Sequence, residues 1–470
     1  MIGRVSGPVK PAEDAPAAEP LPLRLCLGWG LGTFGISVMF NSVNLLLQRF
    51  ATDFLGIAAA TFGLIYLVSK VYDAVTDPLM GWVSDRTRSR LGRRRPYLAL
   101  GGLLCAISFI ALFNAPSGAQ ATESALILGL LLILYATGYT VFNVPYLAMP
   151  VEMTTDYMER SRLVSFRVYA IGFGSLAGLW AAPSLIAFFG GGRAGHVALA
   201  WIYGAVILIA SLLCFLMTRG ARATTRNVAV SLPRREQLWL IASNKPFLIL
   251  VSVKFCHLAS LAVAQAAYVY FVVYVLGKGY YAVGLLGLAN AVGVLIGTPI
   301  WYALARRLRN KRNLYMAASL LAAVVLSTWW LATAVEPIGM TMFRVFLYGM
   351  TIGGSLMFGL AMLPDAIAHD AARSGLRREG LFAGIFSMAE KMAFAVGGAA
   401  SGLLLGAMGY VSSTTGTAVQ PASAILAVYL SISLLPAGLL VVSVLLLSQY
   451  RLGEDEVRRS AALAADRATG

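Results

Sequence analysis

Long apolar stretches separated by short polar ones run along almost the whole chain. Twelve apolar segments can be drawn, over about 25–48, 57–84, 96–114, 123–150, 163–189, 196–218, 247–276, 282–304, 314–334, 338–363, 380–409 and 422–448. A helix needs about 20 apolar residues to cross hydrocarbon, so the pattern predicts an all-α membrane protein with twelve transmembrane helices. A polar stretch, 219–245, divides them six and six. The expected organisation is a cytoplasmic tail (1–23), a six-helix bundle (24–218), a basic linker (219–245), a second six-helix bundle (246–449) and a second tail (450–470).

The short polar stretches carry the orientation. Loop 85–95 holds Arg86, Arg88, Arg90, Arg93, Arg94 and Arg95, and loop 305–313 holds Arg306, Arg307, Arg309, Lys311 and Arg312. The loops of opposite parity hold only Arg49, Arg193 and Lys278. Lysine and arginine accumulate on the cytoplasmic side, so both tails and the linker are expected there. The halves also echo each other: Trp82 and Trp301 each precede a basic run and then a helix. Two parallel six-helix repeats are the plan of a rocking secondary transporter with its site between the halves.

Composition agrees. Of the 470 residues 59% are hydrophobic and 12% charged, against roughly 25% charged in soluble domains. That excludes a cytosolic enzyme, a disordered protein and a disulfide scaffold. The net charge of +16 belongs to the loops and implies no nucleic acid. Cys26, Cys105, Cys214 and Cys256 lie in or beside apolar segments and read as core residues. The chain has no Asn-x-Ser/Thr sequon, which with the short loops favours a bacterial inner membrane. It has no phosphate-binding loop and no Cys/His cluster, so no resident cofactor is expected and an ion or substrate gradient must drive any transport.

Charges inside apolar segments mark function by default. Segment two carries Lys70, Asp73 and Asp77. The two carboxylates are four apart and share a helix face; in hydrocarbon they need a cation, a proton or a basic partner. Oxygen ligands suit a hard cation such as Na⁺. The bland alternative is a structural ion pair between Lys70 and Asp73. Lys391, beside Glu390, lies too deep in segment eleven for easy snorkelling and can replace the cation when the carboxylates are empty. Arg167 and Lys254 suit a hydroxyl-rich or anionic substrate, with helix-to-helix bonding as the alternative. His257 reads as a satisfied buried histidine and Arg344 as structural. Tyr139, Thr140 and Asn143 precede Pro145, and Thr140 is placed to give the cation a third oxygen.

These residues carry a resemblance. Asp73, Thr76, Asp77, Pro78, Gly81, Trp82, Asp85, Arg86 and Thr87, running on to Gly92 and Pro96, resemble the signature of the glycoside–pentoside–hexuronide:cation symporter family of the major facilitator superfamily. Three further stretches agree: Val144-Pro145-Tyr146 through Glu152, Thr154, Asp156 and Arg160 to Arg167; Lys245-Pro246-Phe247; and Leu363-Pro364-Asp365 through Arg377, Arg378, Glu379 and Gly380 to Lys391. The resemblance implies a cation site at Asp73, Asp77, Thr76 and Thr140, coupling charges at Lys391 and Lys70, and a cytoplasmic gate at Asp85 and Arg86. Thr76 stands where melibiose-type members have Asn, which leaves Na⁺, Li⁺ and H⁺ open as the coupling ion.

The substrate site departs from that type. The melibiose-type sugar aspartates correspond to Ser37 and Asn143, and two indoles to Leu147 and Leu356. Ser37, Asn143, Arg167, Lys254, Ser387 and Gln265 remain as candidate substrate contacts, and galactoside recognition of the melibiose type is not expected. The leading expectation is a monomeric symporter for a sugar, glycoside or uronide, coupled to Na⁺ or H⁺. The alternative is an amphipath such as a lysophospholipid, which relatives in animals carry. A membrane sensor would be expected to bear a soluble output domain, and nothing forms a catalytic set.

Overall fold

The computed structural model describes residues 21–117, 120–154, 157–219, 244–374, 379–416 and 418–452. These form twelve long helices. In the first half they are α1 (Leu23–Phe54), α2 (Ala59–Arg86), α3 (Arg95–Phe113), α4 (Ala121–Met153), α5 (Tyr157–Leu176, continued by a π turn at Ala177–Ala181 and by Ala182–Phe188) and α6 (Gly192–Met217). In the second they are α7 (Lys245–Tyr270 with a π turn at Phe271–Val275), α8 (Tyr280–Leu308), α9 (Lys311–Thr328), α10 (Ile338–Ser374), α11 (Glu379–Ala407) and α12 (Ala422–Tyr429, a π turn at Leu430–Leu434, and Leu435–Ser448). Eleven of them are long and apolar enough to cross a membrane. The one that falls short is α2, which carries Lys70, Asp73 and Asp77. The expected linker arginines from Arg222 onward, tail residues 1–20 and 453–470, Asp156, Arg377 and Arg378 lie outside the described residues.

The helices start where local chemistry predicts. Asn244 accepts the amide of Phe247 at 3.1 Å and Pro246 occupies the first turn of α7, where a missing N–H costs nothing. Asn310 caps α9 in the same way, at 3.0 Å to the amide of Asn313. Several helices outrun the sequence expectation, two of them with an ion pair at the extension. The first apolar segment was drawn to residue 48, but α1 continues to Phe54 because Arg49 and Asp53, four apart, neutralise each other at 2.8 Å. Arg49 is therefore a buried helical residue and not a loop charge. The tenth segment was drawn to 363, but α10 continues to Ser374, with Asp365 in it paired to Lys311 of α9 at 2.7 Å.

Three helix pairs join the halves: α2 with α11, α5 with α8, and α1 with α7. Glycine permits the closest approaches. A Cβ on Gly402 would lie 2.6 Å from the Ala59 carbonyl oxygen, and one on Gly287 would lie 2.2 Å from that of Leu179. Both contacts lie toward the end of the molecule remote from the Arg-rich turn after α2. We call the Arg-rich end basic and the other end far. The π turn of α5 packs on α8 at this far end, in keeping with the frequent placing of such turns at functional contacts.

Candidate functional site

Midway along α2, Asp73 is 3% exposed. Thr140 of α4 donates to the carboxylates of both aspartates, at 2.6 Å to Asp73 Oδ1 and 2.9 Å to Asp77 Oδ1. One hydroxyl has a single proton, so only one of these bonds is made at a time. The Lys391 ammonium enters from α11, in the other half, to ion-pair with Asp77 Oδ2 and to lie 3.6 Å from Asp73 Oδ2. The four side chains thus form one cluster across the boundary between the halves.

Two expected members lie elsewhere. Thr76 points its hydroxyl back to its own helix, to the Tyr72 carbonyl at 3.0 Å and that of Asp73 at 3.3 Å, the usual alternative for a mid-helix threonine. Lys70 makes no ion pair with Asp73 within bonding distance. Its ammonium instead lies among the rings of Tyr66, Tyr135 and Phe40, 5.3, 5.5 and 5.6 Å from their centroids, as cation–π attraction allows.

The candidate substrate residues separate into three groups. Lys254 is already matched: it donates to Glu390 Oε2 at 2.9 Å and to the Phe386 carbonyl at 3.1 Å. Arg167 is half-buried, and its Nε is enclosed with no hydrogen-bond partner. Asn143 stands half-buried one turn beyond Tyr139, and Ser387 is exposed one turn before Lys391. Ser37 is buried where α1 packs on α5 at Gly174. Gln265 borders a separate small recess with Asn44, Gln48 and Tyr66, which has room for about one water molecule.

At the basic end Asp85 pairs with Arg94 at 2.7 Å, and Arg86 stacks over Trp82 at 3.9 Å. Arg344 pairs with Glu336 at 2.7 Å, a structural contact as expected. His257 is buried, but its Nδ1 has no partner, so the expectation of a satisfied histidine fails there. The four cysteines are buried and free.

Sequence reasoning missed a second cluster, at the far end. Asp53 is fully buried. It accepts from Arg49 and Thr52, each at 2.8 Å, from Tyr274 at 2.8 Å and from Tyr410 at 2.6 Å. Thr52 also bonds Tyr270 at 2.8 Å. The backbone reinforces the contact: the amides of Ser413 and Gly416 donate to the Thr52 and Asp53 carbonyls, each at 2.8 Å. Arg49 lies 5.0 Å from the Tyr280 ring centroid. The tyrosines and backbone amides that meet Arg49, Thr52 and Asp53 here come from the second half. The available signal was an acid and a base four apart at the end of an apolar segment.

Twelve long helices in two halves, with a charged cluster joining them, have the plan of a membrane transporter of the major facilitator fold. The MFS/sugar transport protein model matches residues 28–454. The chain belongs to that family, and within it to the glycoside–pentoside–hexuronide:cation symporters. It is 29% identical to the "Putative glycoside/cation symporter YagG" of Escherichia coli (strain K12), over 92% of each chain. It is 26% identical to the isoprimeverose transporter of Lactiplantibacillus pentosus, again over 92% of each. Its fold is similar to the crystal structure of the nucleoside transporter NupG (D323A mutant), with a TM-score of 0.65 at 14% identity, covering 91% of this chain and 99% of that one.

Proposed function

We propose that the protein is a symporter that couples Na⁺ or H⁺ to the movement of a sugar, glycoside or uronide by alternating access. The observation that carries this is the cluster of Asp73, Asp77 and Thr140 held by Lys391 from the opposite half. A monovalent cation entering between the two carboxylates competes with the Lys391 ammonium for the same oxygens. Cation binding therefore alters a contact between the halves, which is what coupling requires. Three oxygen-bearing side chains are at hand in Asp73, Asp77 and Thr140, a donor set suited to a hard ion.

The Arg-rich loops support a cytoplasmic basic end, with the termini on the same side. The conformation is then closed toward the outside by the Asp53 cluster. The relatives support a bacterial inner membrane and a sugar-type substrate over a lysophospholipid. One chain supplies both halves of the site, so a monomer suffices. Uptake of labelled glycosides into vesicles, with and without a Na⁺ or H⁺ gradient, tests the proposal. Gradient-driven accumulation is expected in the wild type and not in Asp73→Asn or Asp77→Asn. Equal gradient dependence in these variants refutes the cation site.

A further inference from the structure

Sugar recognition gains most from a carboxylate that accepts a pair of hydroxyls, because a neutral acceptor is a weaker partner for O–H donors. This chain lacks both acidic residues at the melibiose-type positions, where it has Ser37 and Asn143. Another carboxylate is exposed at the boundary between the halves. Glu390 is 51% exposed in its side chain, although it lies within a membrane-spanning helix. Its helix neighbours fix where it points. Ser387, Glu390, Lys391 and Phe394 share one side of α11 at spacings of three and four. From that side Phe394 packs against Phe40 of α1 at 5.2 Å, Lys391 reaches Asp77 of α2, and Glu390 meets Lys254 of α7. The carboxylate therefore faces the space between the halves, where water and substrate can enter, and not lipid.

Its partners leave it available. Lys254 takes Oε2 and is itself anchored on the Phe386 carbonyl and ring. The other oxygen accepts no hydrogen bond among the described residues. From the first half, the Tyr139 ring of α4 approaches the same side of α11, its centroid 5.6 Å from the Lys391 ammonium and 6.4 Å from that of Phe40, and on α5 the Arg167 Nε is enclosed without a partner. The first half thus offers an aromatic ring and an unmatched donor, and the second half an available acceptor.

We propose that Glu390 is the hydroxyl-accepting carboxylate of the substrate site, transferred from the first half of the molecule to α11, and that Lys254 positions it. This rests on the symport reading above. The substrate class is a hydroxyl-rich pyranoside whose ring lies at Tyr139 between Glu390 and Arg167. Glu390 and Lys254 govern affinity for the sugar and leave the cation site at Asp73 and Asp77 intact.

The probes are methyl β-glycosides of xylose, glucose, galactose and glucuronate, scored by thermal stabilisation of the full chain in detergent and by uptake into proteoliposomes. Glu390→Gln and Glu390→Ala are expected to raise the KM for whichever glycosides the wild type accepts by tenfold or more. Stabilisation by Na⁺ or by low pH should be unchanged, which also shows that the variants fold. Lys254→Met is expected to raise KM less, and Glu390→Asp to recover part of the loss. Sugar binding that survives Glu390→Ala within twofold overturns this inference alone. A wild type that none of the glycosides stabilises, or cation dependence lost together with Glu390, overturns it as well. Loss of all cation dependence in the wild type instead overturns the symport reading beneath it.

Discussion

Replacing Asp53 by Asn keeps the shape of the far-end cluster and removes its charge. Asp53 and Arg49 are 0% and 4% exposed, so water does not compensate the loss. Two of the bonds to Asp53, from Tyr274 and Tyr410, cross between the halves. Hydrogen bonds to a charged group contribute about 1.5–3 kcal/mol each. Removing one partner of a buried ion pair costs about 3–5 kcal/mol, because the remaining charge stays desolvated. When the halves part at this end, both charges meet water. The penalty therefore falls on the closed conformation, and about 3 kcal/mol is a working lower value. That is a hundredfold shift in the equilibrium, at about 1.4 kcal/mol per factor of ten. The assay is the reactivity of Ser401→Cys, fully buried at this contact 3.5 Å from Gln48 Nε2, toward a membrane-impermeant maleimide applied from the far side. The four native cysteines are buried and give little background. Asp53→Asn is expected to raise the rate at least tenfold. An unchanged rate in a variant with an unchanged melting temperature refutes the assignment of this cluster as the far-end lock.

Tyr274→Phe and Tyr410→Phe each remove a single bond to the carboxylate, so each should raise the same rate by a smaller factor, about tenfold per 1.4 kcal/mol lost; a double mutant no faster than either single one would show that the bonds do not act across the halves. Gly402→Ala puts a Cβ 2.6 Å from the Ala59 carbonyl oxygen, and this uncharged wedge should also increase Ser401→Cys labelling. Thr140→Val should weaken Na⁺ or H⁺ stabilisation about tenfold, since one hydroxyl oxygen is lost from the donor set; a cation titration followed by melting temperature checks it. Lys391→Ala should tighten cation binding while abolishing coupled accumulation, and a weaker cation response would contradict the competition between lysine and ion.

The acid pair on α2 was legible because four-residue spacing is a property of one helix and needs no knowledge of its neighbours. The depth of Lys391 in its segment was legible for the same reason. The pairing of basic residues was not. Lys254 and Arg167 look alike in sequence, yet one meets Glu390 and the other has no partner, because the rotation of α7 and α11 against α4 and α5 decides it. Thr76 and Thr140 also look equivalent. The first bonds its own backbone and the second reaches across to α2, a choice made by helix packing. The Asp53 cluster draws on α1, α7 and the turn after α11, and no local pattern joins residues so far apart. Conversely, α2 is less apolar than the other eleven helices because it carries Lys70, Asp73 and Asp77. Asp73 and Asp77 are met by Thr140 and Lys391 from other helices, whereas Thr76 bonds its own backbone.

The position of Lys391 also accounts for obligate coupling on the proposed reading. Without a cation the lysine neutralises Asp77 and stands near Asp73, so the two halves can close over the site with its charges paired. A bound cation takes over the carboxylates and releases the ammonium into the cavity beside the Tyr139 ring, 5.6 Å from its centroid. An unmatched ammonium carries a desolvation penalty of several kcal/mol when the cavity closes, so the carrier loaded with cation alone resists occlusion. A polyhydroxylated substrate lying between Glu390 and Arg167 brings acceptor oxygens to that same space and relieves the penalty. Reorientation is then favourable with neither ligand or with both, and unfavourable with the cation alone. Symport follows from one lysine having a single pair of carboxylates to share with the ion.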